Sequence, residues 1–392
     1  MVARVGRLRL VVGFGVFGVF WGTWGALIPE IQRRARVEDG ELGVAVLMIG
    51  LGALCSMRLA GAAVDRFGRS AVAALLVLMA VAAVLPGSAR GAAGLMVALA
   101  VLGAASGGVD VGINALASAE EGRSGRLMNA AHAWFSACVV LGALTTGFAL
   151  GRGLGAETVL VPAALLLAAA AVVIRWTGPA EPARPTGPAP GRRGVADRSV
   201  RRLGVLCALA FVVENVWQSW SAVMLRSVFH TGPGTAAAGP VVFAAAAAVG
   251  RLAGHGLTGR LPQRRLLVLG AAVAAVGTLA AALAPGVGTM LAGLVVAGLG
   301  ISVCAPTVLS LAGALVRPEA RSSAVAVVAS VGYTGCLVGP AAVGLAASVT
   351  GLRPALAGVA GVAAALAFAA LPPHPKPDPA PAPMAPPAPA EG

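Results

Sequence analysis

Long uninterrupted runs of apolar residues dominate the chain, and polar residues are confined to the short stretches between them. Each run is close to the roughly 20 residues that an α-helix needs to cross the hydrocarbon core of a bilayer. The runs lack the alternation that a barrel strand requires, so helices are predicted throughout. The predicted spans are 10–29, 41–63, 71–89, 92–116, 128–150, 157–175, 203–225, 236–257, 266–285, 288–311, 323–347 and 353–371.

Composition indicates that these runs face lipid. Hydrophobic residues make up 58% of the chain and charged residues only 11%, whereas ordinary soluble domains carry about 25% charged residues. Residues 177–202 are rich in Pro, Gly and Arg and predict a cytoplasmic linker between two six-helix bundles, 1–176 and 203–371. Residues 372–392, almost all Pro and Ala, predict a disordered tail.

The basic residues predict the orientation in the membrane. The net charge of +14 comes from arginines placed between the spans, which argues against a nucleic-acid partner. With the N-terminus inside, the inner segments hold 20 Arg or Lys residues and the outer segments 7. Because basic residues accumulate on the cytoplasmic side, both termini are predicted to be cytoplasmic. The first span is expected to be retained rather than cleaved, since it ends in Ile28-Pro29-Glu30 without a small-residue cleavage site.

Several kinds of site are excluded or disfavoured by residue type and spacing. The one lysine, Lys376, lies among prolines, which rules out a phosphate-binding loop and a Schiff-base lysine. A G-x-G-x-x-G match from Gly13 to Gly18 lies inside a lipid-length run, so a dinucleotide site is rejected. We therefore expect no cofactor. The cysteines have no C-x-x-C spacing and predict neither zinc nor disulfides; they are Cys55, Cys138, Cys207, Cys304 and Cys336.

The two halves of the chain carry an internal repeat. Trp21-Gly-Thr-Trp24 matches Trp217-Gln-Ser-Trp220, Arg58-Leu-Ala-Gly61 matches Arg251-Leu-Ala-Gly254, and Phe135-Ser-Ala-Cys138 matches Tyr333-Thr-Gly-Cys336. Each match joins corresponding spans of the two halves. A parallel repeat of six plus six spans predicts a pseudo-two-fold axis along the membrane normal, which is typical of secondary transporters.

The loop after the second span reads Gly61-Ala-Ala-Val-Asp65-Arg66-Phe-Gly68-Arg69. This stretch resembles the G-x-x-x-D-R-x-G-R motif of the major facilitator superfamily, and the resemblance covers about residues 8–372. It implies an all-α membrane protein that moves a solute by alternating access. It also implies that this loop controls conformational exchange. The residues expected in this role are Gly61, Asp65, Arg66, Gly68 and Arg69, together with Arg251. The second-half loop keeps Gly254 and Arg260 but lacks the acid.

A finer resemblance is to the MosC/YbjJ-type branch of bacterial facilitators, whose substrates are poorly defined. The stretches that carry it are Val109-Asp110-Val-Gly-Ile-Asn114, His132-x-x-Phe-Ser136, Glu214 with Trp220, Gly250-Arg251 and Val338-Gly339-Pro340. The Gly-Pro pair that marks drug antiporters in the fifth span is absent, so that motif does not support antiport. The resemblance implies a protein of the bacterial cytoplasmic membrane.

Ionisable residues inside a span cost roughly 2.5–3.5 kcal/mol and are functional candidates by default. Asp110 lies in the middle of span 4 with Asn114 one turn later, and Glu214 lies in the middle of span 7 with Gln218 one turn later. In this fold spans 1, 4, 7 and 10 line the cavity, so both acids are expected to face it. The alternative is that each acid is buried and either paired with an arginine or hydrogen-bonded for packing. His132, early in span 5, is either a cavity residue or a neutral histidine bonded to a carbonyl.

Tryptophans in the symmetry-related spans 1 and 7 are candidates for an aromatic pocket wall. Trp24, Trp217 and Trp220 lie in these spans, the last two beside Glu214. Such a wall would suit an organic solute. The alternative is that these side chains anchor the helices at the membrane interface.

Together these features predict a monomeric secondary active transporter in which protons drive a small organic solute through the bilayer. A uniporter of the same fold is the nearest alternative. A membrane-embedded enzyme should cluster catalytic residues near an interface, but the four histidines are scattered, so no enzyme activity is expected. A membrane sensor should carry an output domain, for which the linker is too short.

Overall fold

The computed structural model describes residues 2–124, 127–176, 198–257, 260–316 and 321–371, and these ranges contain helices and no strand. The predicted all-helical fold is therefore confirmed. The helices are α1 Val2–Ala35, α2 Asp39–Phe67, α3 Arg69–Ser88, α4 Gly91–Ser124, α5 Leu127–Gly151, α6 Ala156–Trp176, α7 Arg198–Ser227, α8 Pro233–Ala236, α9 Ala238–Leu257, α10 Gln263–Ala282, α11 Val287–Ile301, α12 Cys304–Ala314, α13 Arg321–Thr350 and α14 Leu352–Ala370.

Within the described ranges, 11 helical segments are long and apolar enough to cross a membrane. One of them combines α11 and α12, which are separated only by Ser302 and Val303. The remaining predicted span is α7, which has 30 residues but a more polar sequence because it carries Glu214, Asn215 and four arginines. With α7 the predicted number of twelve spans is reached.

Several helices extend beyond the apolar runs that predicted them. Helix α1 continues to Ala35 and α4 to Ser124. Helix α7 begins at Arg198, so the predicted linker of 177–202 is too long by at least five residues at its end. The physical reason is that an apolar run marks the part of a helix in hydrocarbon, whereas the helix itself continues through the polar interface. The remainder of that linker and the predicted tail of 372–392 lie outside the described residues.

The helices form two six-span bundles with equivalent internal packing. In the first bundle the most extensive contacts join α1 with α5, α2 with α4 and α3 with α6. In the second bundle α7 packs on α13, α9 on α11 and α10 on α14. Each helix pair of the second bundle corresponds to the pair at the same span positions of the first bundle. The packing therefore has the pseudo-two-fold relation that the sequence repeat predicts.

Glycines allow the closest helix approaches inside each bundle. A Cβ atom at Gly107 of α4 would lie 2.7 Å from the Cα of Ala53 in α2. Likewise, Gly335 of α13 faces the backbone of Ala208 in α7 at a distance that leaves no room for a side chain. Small residues at this spacing let two backbones approach closely in lipid, where helix association depends on van der Waals packing.

The helices of both bundles run between two faces of the molecule, which we name by the position of the first and last helix ends of each bundle. The start of α1 lies beside the end of α6, since a Cβ at Gly13 would lie 3.6 Å from Ile174. The start of α7 lies beside the end of α14, where Arg202 donates a hydrogen bond of 2.6 Å to the Ala369 carbonyl. We call the end defined by Leu8, Ile174, Arg202 and Ala369 the terminal face, and the opposite end the far face.

The two bundles contact each other toward the far face. Helix α2 packs on α13, and α5 packs on α8 and α9. A Cβ at Gly43 would lie 2.9 Å from the Cα of Gly344, and one at Gly147 would lie 2.8 Å from the Cβ of Ala237. These residues belong to the far-face ends of their helices. The described helices therefore close the interior at the far face.

Candidate functional site

Asp110 lies in the middle of α4, on one side of the interior. The Asn114 side-chain amide, one turn later, donates hydrogen bonds to the Asp110 carboxylate at 3.0 Å and to its backbone carbonyl at 2.9 Å. The ion pairs formed among the described residues do not include Asp110. The predicted Asp110 and Asn114 pair is thus in contact, and its carboxylate is held by an amide rather than by a cation.

Glu214, in the middle of α7, has a different environment. Its carboxylate forms an ion pair with the Arg251 guanidinium of α9. The Glu214 side chain is 13% exposed and that of Arg251 38% exposed. The arginine-paired form of the alternative is thus present at Glu214, and its hydrogen-bonded form is present at Asp110. Arg251 lies six residues before the last residue of α9, the position that Gly61 has in α2.

Helix α13 brings further polar groups next to α7. The Asn215 side-chain amide donates to Cys336 Sγ at 3.2 Å and to the Phe211 carbonyl at 3.0 Å. The amide that follows Glu214 in the chain is therefore fixed between α7 and α13.

Two aromatic pairs, which sequence reasoning missed as site residues, line corresponding positions of the two bundles. Phe17 of α1 packs on Phe135 of α5 with ring centroids 5.7 Å apart. Phe211 of α7 stacks on Tyr333 of α13 with centroids 5.9 Å apart and an angle of 25° between rings. Tyr333 is 48% exposed near the middle of its helix. The repeat match of Phe135 with Tyr333 was the available signal, because equivalent aromatics on inner helices predict a symmetric wall.

The tryptophans proposed as a pocket wall are packed between helices in this conformation. Trp217 is fully buried and donates its indole N–H to Thr278 of α10 at 3.1 Å. Trp220 is 1% exposed and donates to the Pro340 carbonyl of α13 at 3.0 Å. Trp24 is also buried, and Gln218 is half-buried on α7. The indoles of Trp217 and Trp220 therefore tie helices together, whereas Tyr333 of the same bundle is exposed.

The predicted control loop lies at the terminal face, where α2 passes into α3. Gly68 has φ 55° and ψ −133°, a backbone conformation that is essentially restricted to glycine, and its N–H donates to the Val64 carbonyl. Asp65 and Arg66 are exposed. Gly61 lies against α4, since a Cβ there would contact Val111 at 3.8 Å. This geometry explains why the motif needs a glycine at its turn.

The two remaining predicted site residues are Arg69 and His132. Arg69 begins α3 and is half-buried. The backbone of His132 lies in α5, but its side chain is outside the described residues. Among the described residues no group of three or more His, Cys, Asp or Glu side chains could hold a metal ion.

Arg251→Gln is expected to reduce transport at least tenfold and to lower the unfolding temperature, because it leaves the Glu214 carboxylate without its partner inside the protein. The double variant Glu214→Gln, Arg251→Gln removes both charges and should recover most of the lost stability. Thermal unfolding of purified protein measures the difference. Equal unfolding temperatures for the single and double variants would show that the ion pair does not set the stability of this region.

Two equivalent helical bundles that meet at the far face, with an acid in the middle of α4 and another in the middle of α7, define the architecture of a membrane solute carrier. The family model described as Major Facilitator Superfamily matches residues 10–287 and 221–391. The chain belongs to this superfamily, and its function class is membrane transport of a small molecule.

Relatives and solved structures agree with this assignment. An uncharacterized MFS-type transporter of Yersinia pestis is 32% identical over 89% of this chain and 91% of its own length. The membrane protein MosC of Rhizobium meliloti is 28% identical over 88% of this chain and 84% of its own length. Among solved structures, a mutant of the nucleoside transporter NupG superimposes with a TM-score of 0.79 at 14% identity, covering 93% of this chain and 98% of NupG. A bacterial homolog of the lysosomal transporter Spinster gives 0.74 at 17% identity, over 93% and 95%. At these identities the structures support the fold.

Proposed function

We propose that this protein is a secondary active transporter that moves a small organic solute across the bacterial cytoplasmic membrane, driven by protons. The observation that carries the proposal is the contrast between the two interior acids. Glu214 is paired with Arg251, whereas the ion pairs among the described residues do not include Asp110, whose carboxylate accepts a hydrogen bond from the Asn114 amide. In this proposal Asp110 is the group that gains and loses the proton. A charged carboxylate is costly in a closed, dry interior and tolerable in an open, wet one.

The proposed orientation in the membrane identifies the conformational state of the structure. With both termini cytoplasmic, as the arginine distribution predicts, the terminal face is the cytoplasmic face, and the far face, where α2 packs on α13, is the periplasmic face. The structure is then an inward-open state, in which α2 and α13 seal the periplasmic side. Asp110 would release its proton to the cytoplasm in this state and take one up again when the far face opens.

The solute is proposed to be organic because each bundle contributes a pair of packed aromatic rings at corresponding positions. The Phe211 and Tyr333 rings lie on one bundle and the Phe17 and Phe135 rings on the other. Aromatic side chains with a few polar groups are typical of sites for small organic ligands. In this proposal the ring pairs contribute binding, and the Asn114, Asn215 and Gln218 amides supply polar contacts.

Proteoliposomes with an imposed pH gradient test the proposed function. A panel of organic solutes is screened for uptake with the gradient, without it, and with a protonophore. We expect at least one solute to accumulate above its external concentration only when the gradient is present. Equilibration of a solute to equal concentrations, unaffected by the gradient, would instead establish a uniporter of the same fold.

Asp65→Asn should lower the turnover rate at least tenfold and leave the apparent affinity for solute within a fewfold. The reason is that Asp65 is exposed at the terminal face in this open state and would accept hydrogen bonds from a helix N-terminus of the second bundle when that face closes. Initial rates against solute concentration separate the two parameters. A large loss of affinity with normal turnover would place Asp65 in solute binding.

A further inference from the structure

A cavity of about 160 Å³ opens at the terminal face of the second bundle, away from the interior acids. It lies where α7 and α10 begin and where α12 and α14 end. The side chains of Arg202 and Arg264 line it together with apolar residues, among them Leu206, Leu267 and Leu311. The volume is about that of five water molecules in the liquid, enough for a phosphodiester group.

Positive charge is concentrated around this cavity. Arg198, Arg201 and Arg265 are exposed nearby, in addition to the two lining arginines. The described part of the second bundle contains a single acid, Glu214, and that acid is paired with Arg251. Negative charge to balance these arginines must therefore come from outside the described part of this bundle.

The cavity lies at the depth of lipid headgroups. Arg202 immediately precedes Leu203, the first residue of the predicted seventh span. Its guanidinium is held by one hydrogen bond of 2.6 Å to the Ala369 carbonyl at the end of α14, and a guanidinium has five N–H donors in all. Phe368 and Leu315, which are 77% and 54% exposed, provide apolar surface beside it.

We propose that this cavity binds the phosphate group of an anionic phospholipid, with Arg202 and Arg264 as its ligands. Arginine pairs well with phosphate because its planar N–H groups donate in parallel, and basic pockets between transmembrane helices bind anionic headgroups. The acyl chains leave along the exposed apolar side chains. A lipid in this position joins the ends of α7, α10 and α14 and so stabilises the second bundle.

Thermal unfolding of the purified full-length protein tests the site with four additions: phosphatidylglycerol, cardiolipin, phosphatidylcholine and inorganic phosphate. A ligand that binds only the folded state raises the unfolding temperature. We expect both anionic lipids to raise it by about 3 °C or more, and phosphatidylcholine and inorganic phosphate to raise it by less than a third as much. The double variant Arg202→Gln, Arg264→Gln should respond to anionic lipid no more than to phosphatidylcholine.

Arg90→Gln with Arg152→Gln, at the far-face ends of the first bundle, is the matched control and should keep the full response. If the double glutamine variant does not fold, Arg264→Gln alone carries the test, and the response should fall by at least half. An unchanged response in these variants overturns the proposal. So does a shift of equal size with inorganic phosphate alone, since that identifies a site for free anions rather than for lipid.

Discussion

Gly43→Leu is expected to lower net transport at least tenfold and to hold the protein open at the far face. In the structure a Cβ at Gly43 would lie 2.9 Å from the Gly344 Cα and 3.0 Å from the Ala341 carbonyl oxygen. Both atoms belong to the backbone of α13, so no side-chain rotation can make room for leucine. The substitution therefore disfavours the state in which α2 packs on α13 relative to one in which they are apart.

Thiol labelling measures this shift directly. In a background without the native cysteines, Ala341→Cys is buried against α2 in the present state. Adding Gly43→Leu should raise its rate of reaction with a membrane-impermeant reagent at least tenfold. Gly94→Leu is the matched control, because a Cβ at Gly94 of α4 meets no atom within 4 Å, and it should transport normally. Wild-type transport by Gly43→Leu would mean that the α2 and α13 contact need not form during the cycle.

The pattern of apolar runs was sufficient to predict the fold because lipid leaves few alternatives to helices. The repeat then predicted the symmetry, since the matched stretches recur at a nearly constant offset. What the pattern could not locate was the true helix ends. The start of α7 at Arg198 illustrates the reason: arginines signal the membrane interface, and a helix can continue through it.

The sequence alone does not show which residues pair with the interior acids. Glu214 and Arg251 are 37 residues apart on antiparallel spans, and only the rotation and depth of each helix bring them together. A sequence can indicate that a buried acid needs a partner, but it cannot select one arginine among 28. Asp110 and Asn114 were predictable as neighbours, because residues four apart share a helix face.

The aromatic residues show the same limit. The sequence suggests Trp217 and Trp220 as part of a pocket wall. In the structure their indole N–H groups donate hydrogen bonds to Thr278 and to the Pro340 carbonyl on other helices, which hold both side chains between helices. Which face of α7 meets α10 and which meets the interior depends on helix rotation. A helix that is apolar on most sides carries little information about that rotation in its sequence.

Asp110→Asn should abolish solute accumulation against a gradient and preserve exchange of solute across the membrane. Asparagine has almost the same shape as aspartate and can keep a hydrogen bond with Asn114, but it cannot bind and release a proton. The solute site and the conformational change therefore remain, while the link to the proton gradient is lost. Glu157→Gln, an exposed acid of α6 paired with Arg34, is the control and should accumulate solute as the wild type does.

The most direct test compares wild type and Asp110→Asn in the same proteoliposomes by two assays with the solute found in the panel. One assay measures uptake driven by an imposed pH gradient, and the other measures exchange of labelled for unlabelled solute without a gradient. If Asp110 couples protons to solute, the variant reaches only equal concentrations on both sides in the first assay, and exchanges within a fewfold of the wild-type rate in the second. Accumulation by Asp110→Asn against the solute gradient would contradict it and would make Asp110 a structural residue.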